Sequence, residues 1–467
     1  MYVKYIPEIY CKSIWVVIEY TQNTLERSDQ MNRIVRSLGG FALAAAMLFT
    51  YGCASDPKKE GNATQSPATA TPEPVKETID YLKELGNVEF TKAKNVILFI
   101  GDGMGPYHIE ATDAIAGGDY DGKLAIEYLT NQGTSITICN EGEPDSASGG
   151  TALACGYKSN RKYLGLNIKQ EEVQSVVELA KSKGKKAGVV TNESIVDATP
   201  AAFTIHAPNR NDESNIAKLQ IEKSVADIIM GGGKAMYDKA FKDEKYKQML
   251  TDNNITYATT WDEVNAYNNE GRLIATLTDD YFEKAEEASP TLAQMTEKAI
   301  SLLSGTEEGF FLLVEGGAMD ESGHVSDVVE LTKQMKSFDE AVSLGIRFAS
   351  ENPDTVVIVT ADHDTGGLKP KAEADPYVTA NKGEYHTSEM LKYEAALQKE
   401  NPDIDLSQLP YRFTTIAHTN SNVQIFAIGY GTEIFNDKTV KSFEIGQFIG
   451  RTLGDENFGA QNKNGLK

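Results

Sequence analysis

The residues best equipped for chemistry in this chain are carboxylates and imidazoles that follow apolar runs. Asp102 lies in GDGMG (101–105), directly after NVILFIGD (95–102). Asp197 and Thr199 lie in VDATP (196–200). Glu315, Asp320 and His324 share VEGGAMDESGH (314–324), Asp362 and His363 share TADHD (360–364), and His418 lies in AHTNS (417–421). Neutral imidazole mixed with carboxylate suits zinc, whereas a set made only of oxygen suits magnesium. The chain has six histidines, three of them in these motifs. His108, His206 and His386 are assigned no metal role. A lone aspartate after a strand usually caps a turn, so the joint pattern carries the reading.

A second feature is PDSASGGTAL (144–153), which offers Ser146 and Ser148 as nucleophiles without a histidine nearby in sequence. Neither serine has glycine two places before it, so the GxSxG elbow of a serine hydrolase is absent. Gly149-Gly150 would cost a helix about 1 kcal/mol each relative to alanine. Close approach of another segment would explain the pair, and so would flexibility.

The elements that must position these residues alternate. Strand-like runs occur at 95–102, 187–192, 310–317, 355–363 and 422–429. Amphipathic helical patterns fall at 173–184, 289–305 and 328–348, the last with Leu331, Met335, Phe338, Ala341 and Leu344 at helical spacing. Continuous apolar strands alternating with helices predict an α/β three-layer sandwich, with a mostly parallel central sheet flanked by helices. In such sheets the site forms beyond the carboxyl ends of the strands. Residues 365–417 lack the alternation and read as a surface excursion.

Composition narrows the function classes. Apolar content of 40% and charged content of 24% over 467 residues are those of a folded protein. A net charge of -23 argues against a nucleic-acid partner, because phosphate backbones attract Lys and Arg. Cys11, Cys53, Cys139 and Cys155 are too few for a disulfide scaffold. Cys139 and Cys155 are close enough in sequence to pair, or can be two buried thiols. Arg33 and Arg36 precede an apolar run from Leu38 to Phe49, too short to span a membrane and suited to a signal-peptide core. Gly52-Cys53 resembles the end of a bacterial lipoprotein signal, which would make Cys53 a lipid anchor; an ordinary cleaved signal is the alternative. Residues 1–52 therefore read as an upstream extension plus signal. Residues 53–91 read as a flexible tether and lead-in, rich in Pro, Thr, Ala and Ser up to 76. This organisation implies an exported protein, periplasmic or anchored to a bacterial envelope.

Taken in order, GDGMG, DSASGGTAL, VDATP followed by Arg210, VEGGAMDESGH, TADHD and AHT resemble the motifs of the alkaline phosphatase family. The resemblance spans roughly residues 92–454, so 92–455 reads as the catalytic domain and 456–467 as a tail. It implies two zinc ions and one magnesium ion. Asp320, His324 and His418 match the ligands of the first zinc, and Asp102, Asp362 and His363 those of the second. Asp102, Asp197, Thr199 and Glu315 match the magnesium site. Arg210, in HAPNR thirteen residues beyond Asp197, matches the phosphate-clamping arginine, with Asp145 beside it. In the family the nucleophile follows that aspartate, which selects Ser146 and leaves Ser148 as a capping or packing residue. Zinc lowers the pKa of an oxygen bound to it, so such a serine needs no histidine base. The implied reaction is hydrolysis of small phosphate monoesters through a phosphoserine, and the implied assembly is a homodimer. Glu321 departs from the family, in which lysine, tryptophan or histidine follows the matching aspartate. A phosphodiesterase or sulfatase-like hydrolase of the same superfamily is the nearest alternative, and a non-catalytic phosphate- or metal-binding lipoprotein a remote one.

Overall fold

The computed structural model describes residues 81–374 and 385–459. The expected signal, Cys53, the tether to residue 76, the side chain of His386 and the tail beyond 459 lie outside the described residues. Ten strands form one sheet: β1 (Asn95–Gly101), β2 (Asn131–Ile136), β3 (Lys186–Ser194), β4 (Ile228–Gly232), β5 (Ile255–Ala258), β6 (Arg272–Thr276), β7 (Phe310–Gly316), β8 (Thr355–Thr360), β9 (Val423–Ile428) and β10 (Thr439–Lys441). Their order is β10-β2-β9-β8-β1-β7-β3-β4-β6-β5. Only β9 runs antiparallel to its neighbours, β8 and β2. The sheet is thus mostly parallel, as expected. The runs at 187–192 and 355–363 become β3 and β8 with somewhat different ends.

Side chains along a strand alternate between faces, and each face feeds its own core. Val96, Leu98 and Ile100 pack with Leu153, Val176 and Phe311 on one side. Ile97 and Phe99 pack with Leu331, Phe338 and Leu312 on the other. Helices cover both faces, which makes the three layers. The three expected helices form as Val176–Ser182, Leu292–Leu303 and Val328–Glu351. Ser175 caps the first in a reciprocal box with Glu178, and Thr291 caps the second in the same way with Gln294.

Register brings the chemistry together. Ile100 pairs with Glu315 on β7 and with Thr360 on β8, and Thr191 on β3 pairs with Glu315. Asp102, Glu315 and Asp362 therefore end up at one level, at the carboxyl ends of the central strands. The segment 365–417 carries the helix Tyr385–Glu400 and returns to the same level. Asp364–Thr365 forms a short antiparallel ladder with His418–Thr419, which sets His418 beside His363.

Gly149 and Gly150 lie in the helix Ser146–Cys155, and close approach is their reason. A Cβ on Gly149 would meet the Asp362 carbonyl oxygen at 2.7 Å and its Cβ at 2.9 Å; one on Gly150 would meet the Cα of Thr199 at 3.1 Å. Alanine at 149 recovers about 1 kcal/mol of helix propensity, but overpacking against backbone costs about 1–3 kcal/mol. Gly149→Ala is accordingly expected to lower the melting temperature, by calorimetry, and to displace Asp362. An unchanged or higher melting temperature would contradict this packing. Cys139 and Cys155 are separate buried thiols, not a disulfide.

Candidate active site

Ser146 is the first residue of its helix and is 2% exposed. Asp145 caps that helix: its Oδ1 accepts from the Ser148 N–H at 3.0 Å, while Ser148 Oγ accepts from the Asp145 N–H at 3.1 Å. Ser148 is thus bound up in the cap, and Ser146 is left with its hydroxyl turned toward the carboxyl ends of β1 and β8. Its Oγ lies 3.2 Å from His363 Nε2. The helix N-terminus adds a positive end beside it.

Arg210 stands at the same place. Its NH2 donates to Asp197 Oδ1 at 2.9 Å and its NH1 lies 3.8 Å from Asp145 Oδ2. Burial opposes its charge, but Asp197, Asp145 and Asp102 outweigh that and hold the guanidinium firmly protonated. Lys162 links the two carriers through its backbone: its N–H donates to Asp145 Oδ2 at 2.9 Å and its carbonyl accepts from the Arg210 N–H at 3.0 Å.

Three imidazoles converge, and their hydrogen bonds settle which nitrogen is free. His324 Nδ1 lies 2.7 Å from the Ile416 carbonyl and His418 Nδ1 lies 2.9 Å from that of Pro144. A carbonyl only accepts, so both Nδ1 atoms carry a proton and both Nε2 atoms face the site. Thr365 Oγ1 donates to Asp320 and lies 3.2 Å from His363 Nδ1, which assigns His363 the same tautomer. His324 Nε2 and His418 Nε2 face each other at 3.2 Å, and Asp320 Oδ2 lies 3.1 Å from the former. Burial lowers the pKa of His324, but the Asp320 carboxylate outweighs that and raises it to about 9, so without a metal a proton on Nε2 bridges this contact; a bound cation would take that proton's place.

The second group repeats the pattern. His363 Nε2 lies 3.4 Å from Asp102 Oδ1 and 3.2 Å from Asp362 Oδ2. Both carboxylate oxygens are inaccessible and have no hydrogen-bond partner, as is Glu315 Oε1. Burial and mutual repulsion push Asp102, Glu315 and Asp362 above the usual carboxylate range. Asp320 goes the other way: burial disfavours its charge, but His324, His418 and His363 hold it well below that range. Buried acceptors left without donors cost free energy unless something positive satisfies them. Asp102, Asp362 and His363 form one group able to hold a metal ion, and Asp320, His418 and His363 another. The donor types suit zinc at both; the latter group has His363 where the resemblance implies His324, which stands beside it at 3.2 Å from His418.

The all-oxygen set is only partly assembled. Thr199 Oγ1 lies 3.4 Å from Asp102 Oδ2, and Glu315 sits between Thr191 and β1, its Oε2 accepting from Thr191 Oγ1 at 2.5 Å. Asp197 gives its Oδ1 to Arg210 and is also near enough to Glu315 to raise it. His206 is engaged elsewhere, with Nε2 3.0 Å from Glu178, and His108 is fully buried in the helix that follows β1. Thr191, Thr365, Glu193 and the Lys162 backbone escape sequence reasoning. Thr365 directly follows TADHD, which was a usable signal; a backbone contact such as that of Lys162 leaves none.

The profile of a family described as alkaline phosphatase matches residues 93–449. Alkaline phosphatase 4 of Bacillus subtilis is 32% identical over 309 residues, covering 62% of this chain and 66% of its own length. Alkaline phosphatase of Escherichia coli is 30% identical over 331 residues, 58% of this chain and 70% of its own. The solved alkaline phosphatase of the Antarctic bacterium TAB5 superposes with a TM-score of 0.65 at 30% identity, over 78% of this chain and 99% of that one. With a profile match that runs from the strand bearing Asp102 past His418, this chain belongs to the alkaline phosphatase family, a family of phosphatase enzymes.

Proposed function

We propose that this protein hydrolyses phosphate monoesters through a phosphoserine on Ser146. The observation that carries the reading is the convergence of three Nε2 atoms and orphaned carboxylate oxygens around a serine hydroxyl, with Arg210 beside it. Asp320, His324 and His418 would hold one zinc ion, Asp102, Asp362 and His363 a second, and Asp102, Thr199 and Glu315 with Asp197 a magnesium ion. When bound, these ions supply the positive charge that lowers the pKa of a neighbouring hydroxyl and neutralises phosphoryl oxygens.

The chain's own residues do the rest. The Asp145 cap and the helix hold Ser146 Oγ in line for attack on phosphorus. The new Oγ–P bond forms as the ester P–O bond breaks, and the alcohol leaves. Arg210 presents two N–H groups to two phosphoryl oxygens, a fork that lysine lacks. Water then attacks phosphorus, the Oγ–P bond breaks, and inorganic phosphate and the free serine are released. The burial of Ser146 limits other acceptors.

The 3.2 Å contact of Ser146 with His363 invites a second reading, in which the imidazole is a general base. In a Ser-His-Asp arrangement the carboxylate sits on the opposite ring nitrogen. Here Asp102 and Asp362 crowd the same Nε2 as the serine, and Nδ1 faces Thr365. That geometry favours a metal ligand. A panel of monoesters and diesters with zinc- and magnesium-loaded protein tests the function: monoesters are expected to be preferred, and a preference for diesters would overturn the reading. Arg210→Lys is expected to raise KM for p-nitrophenyl phosphate about tenfold, with a smaller fall in kcat, by steady-state kinetics.

The signal-like segment and tether support export, with Cys53 as lipid anchor, and the resemblance supports a homodimer. Among the described residues no helix is long and apolar enough to cross a membrane.

A further inference from the structure

We propose that Glu193 is a further ligand of the magnesium site, reached through its Oε2. This assignment rests on the reading of Asp102, Thr199 and Glu315 as a hard-cation site.

Glu193 lies at the carboxyl end of β3, two residues beyond Thr191. Thr191 Oγ1 joins the two acids: it accepts from the Glu193 N–H at 2.8 Å and donates to Glu315 Oε2 at 2.5 Å. Both side chains close on Gly317. A Cβ there would stand 2.4 Å from Glu193 Cβ, 3.1 Å from its Cγ and 3.5 Å from Glu315 Cδ. Asn192 fixes that backbone by accepting from the Gly317 and Ala318 N–H groups at 2.7 and 3.2 Å. The stem of Glu193 and the carboxyl of Glu315 thus border the same glycine, and the Thr191 hydroxyl ties the Glu193 backbone to the Glu315 carboxylate.

Each of them keeps one oxygen unsatisfied. Glu193 Oε1 accepts from the Ser194 N–H at 3.0 Å, and Glu315 Oε2 is taken by Thr191. Glu193 Oε2 and Glu315 Oε1 are both inaccessible and have no partner, and Glu315 as a whole is 0% exposed. Beside burial, Asp197, then Glu321 and Glu315, oppose the charge of Glu193. Carboxylates gathered with buried, unpartnered oxygens call for a cation, and oxygen donors alone select a hard one. Asp197 gives its Oδ1 to Arg210 at 2.9 Å, and Glu193 adds a further carboxylate to the set. More carboxylate ligands mean tighter binding of a divalent ion.

The test is magnesium binding to the full chain in its zinc-loaded form, by isothermal titration and by metal analysis after gel filtration. Glu193→Gln keeps the shape and removes the charge. It is expected to weaken Mg2+ binding by about 10- to 100-fold while zinc content stays at the wild-type level. Glu193→Asp, which keeps the charge but shortens the reach, should fall between. Glu321→Gln serves as the field control, since that side chain is exposed. Wild-type Mg2+ affinity in Glu193→Gln overturns the assignment. So does an equal loss in Glu321→Gln, which would mean that Glu193 acts only through its field. Should Glu193→Gln fail to fold, Glu193→Asp alone decides: affinity unchanged within twofold overturns the assignment, and a clear loss with intact zinc upholds it. Because the readout is binding, these results stand apart from the proposed activity, which is judged by the ester panel and by Ser146→Ala.

Discussion

Ser146→Ala is expected to cut kcat on p-nitrophenyl phosphate by about a thousandfold or more, with zinc content and melting temperature close to wild type. Removing a nucleophile from a preorganised site typically costs this much or more, because the covalent route is closed while binding persists. The residual rate reflects Arg210 and the metal ions acting on water alone. The fold should tolerate the change, since Ser146 Oγ makes a single side-chain contact, to His363, and the cap of the helix runs through Asp145 and Ser148 instead. Ser148→Ala gives the contrast. It removes a cap partner, so it should cost stability, about 0.5–2 kcal/mol, and leave the phosphoserine chemistry in place. Trapping of a radiolabelled phosphoryl group at low pH on wild type and Ser148→Ala, and its absence from Ser146→Ala, would assign the nucleophile. Full turnover by Ser146→Ala would sink the mechanism.

Chelation is expected to have an effect of comparable size by a different route. Dialysis against a strong chelator should abolish turnover, and zinc together with magnesium should restore it where magnesium alone does not. The reason is visible in the contacts. His324 and His418 bring their Nε2 atoms within 3.2 Å of each other, and Asp102, Asp362 and Glu315 keep buried oxygens without donors. The metal-free protein must protonate or separate these groups. Its melting temperature should therefore fall, and each ion at a hundred times its Kd should restore about 2.7 kcal/mol. A general base at His363 would work without any metal, so full activity after chelation would instead support the serine–histidine reading.

Much of this was legible in the sequence because the sheet converts spacing into position. An acid directly after an apolar run lands at a strand's carboxyl end whatever the rest of the chain does, which places Asp102, Glu315 and Asp362. The apolar runs themselves gave the parallel sheet, since a strand buried on both faces has no polar alternation. The outer strands were harder. β2 reads NQGTSI, a polar run one strand in from the sheet edge, and its pairing with β9 and β10 compensates for a pattern no periodicity would flag. Gly149 and Gly150 announced that something approaches, but only packing identified it as the Asp362 backbone and Thr199.

What the sequence determined by itself is the inventory and its order: which donors exist, which strand each one ends, and hence the family and the class of chemistry. What only the tertiary structure decided is commitment among those donors. Asp197 gives one oxygen to Arg210 while it also faces Glu315. Nothing in the sequence singles out Glu193, yet its Oε2 is buried without a partner. The choice of tautomer at His324 and His418 likewise depends on the carbonyls of Ile416 and Pro144, the latter 274 residues away from His418 in sequence. Residue type fixes what a side chain can donate or accept. Which of those options it uses depends on neighbours brought in by the fold, and short-range electrostatics falls off too steeply for sequence distance to report it.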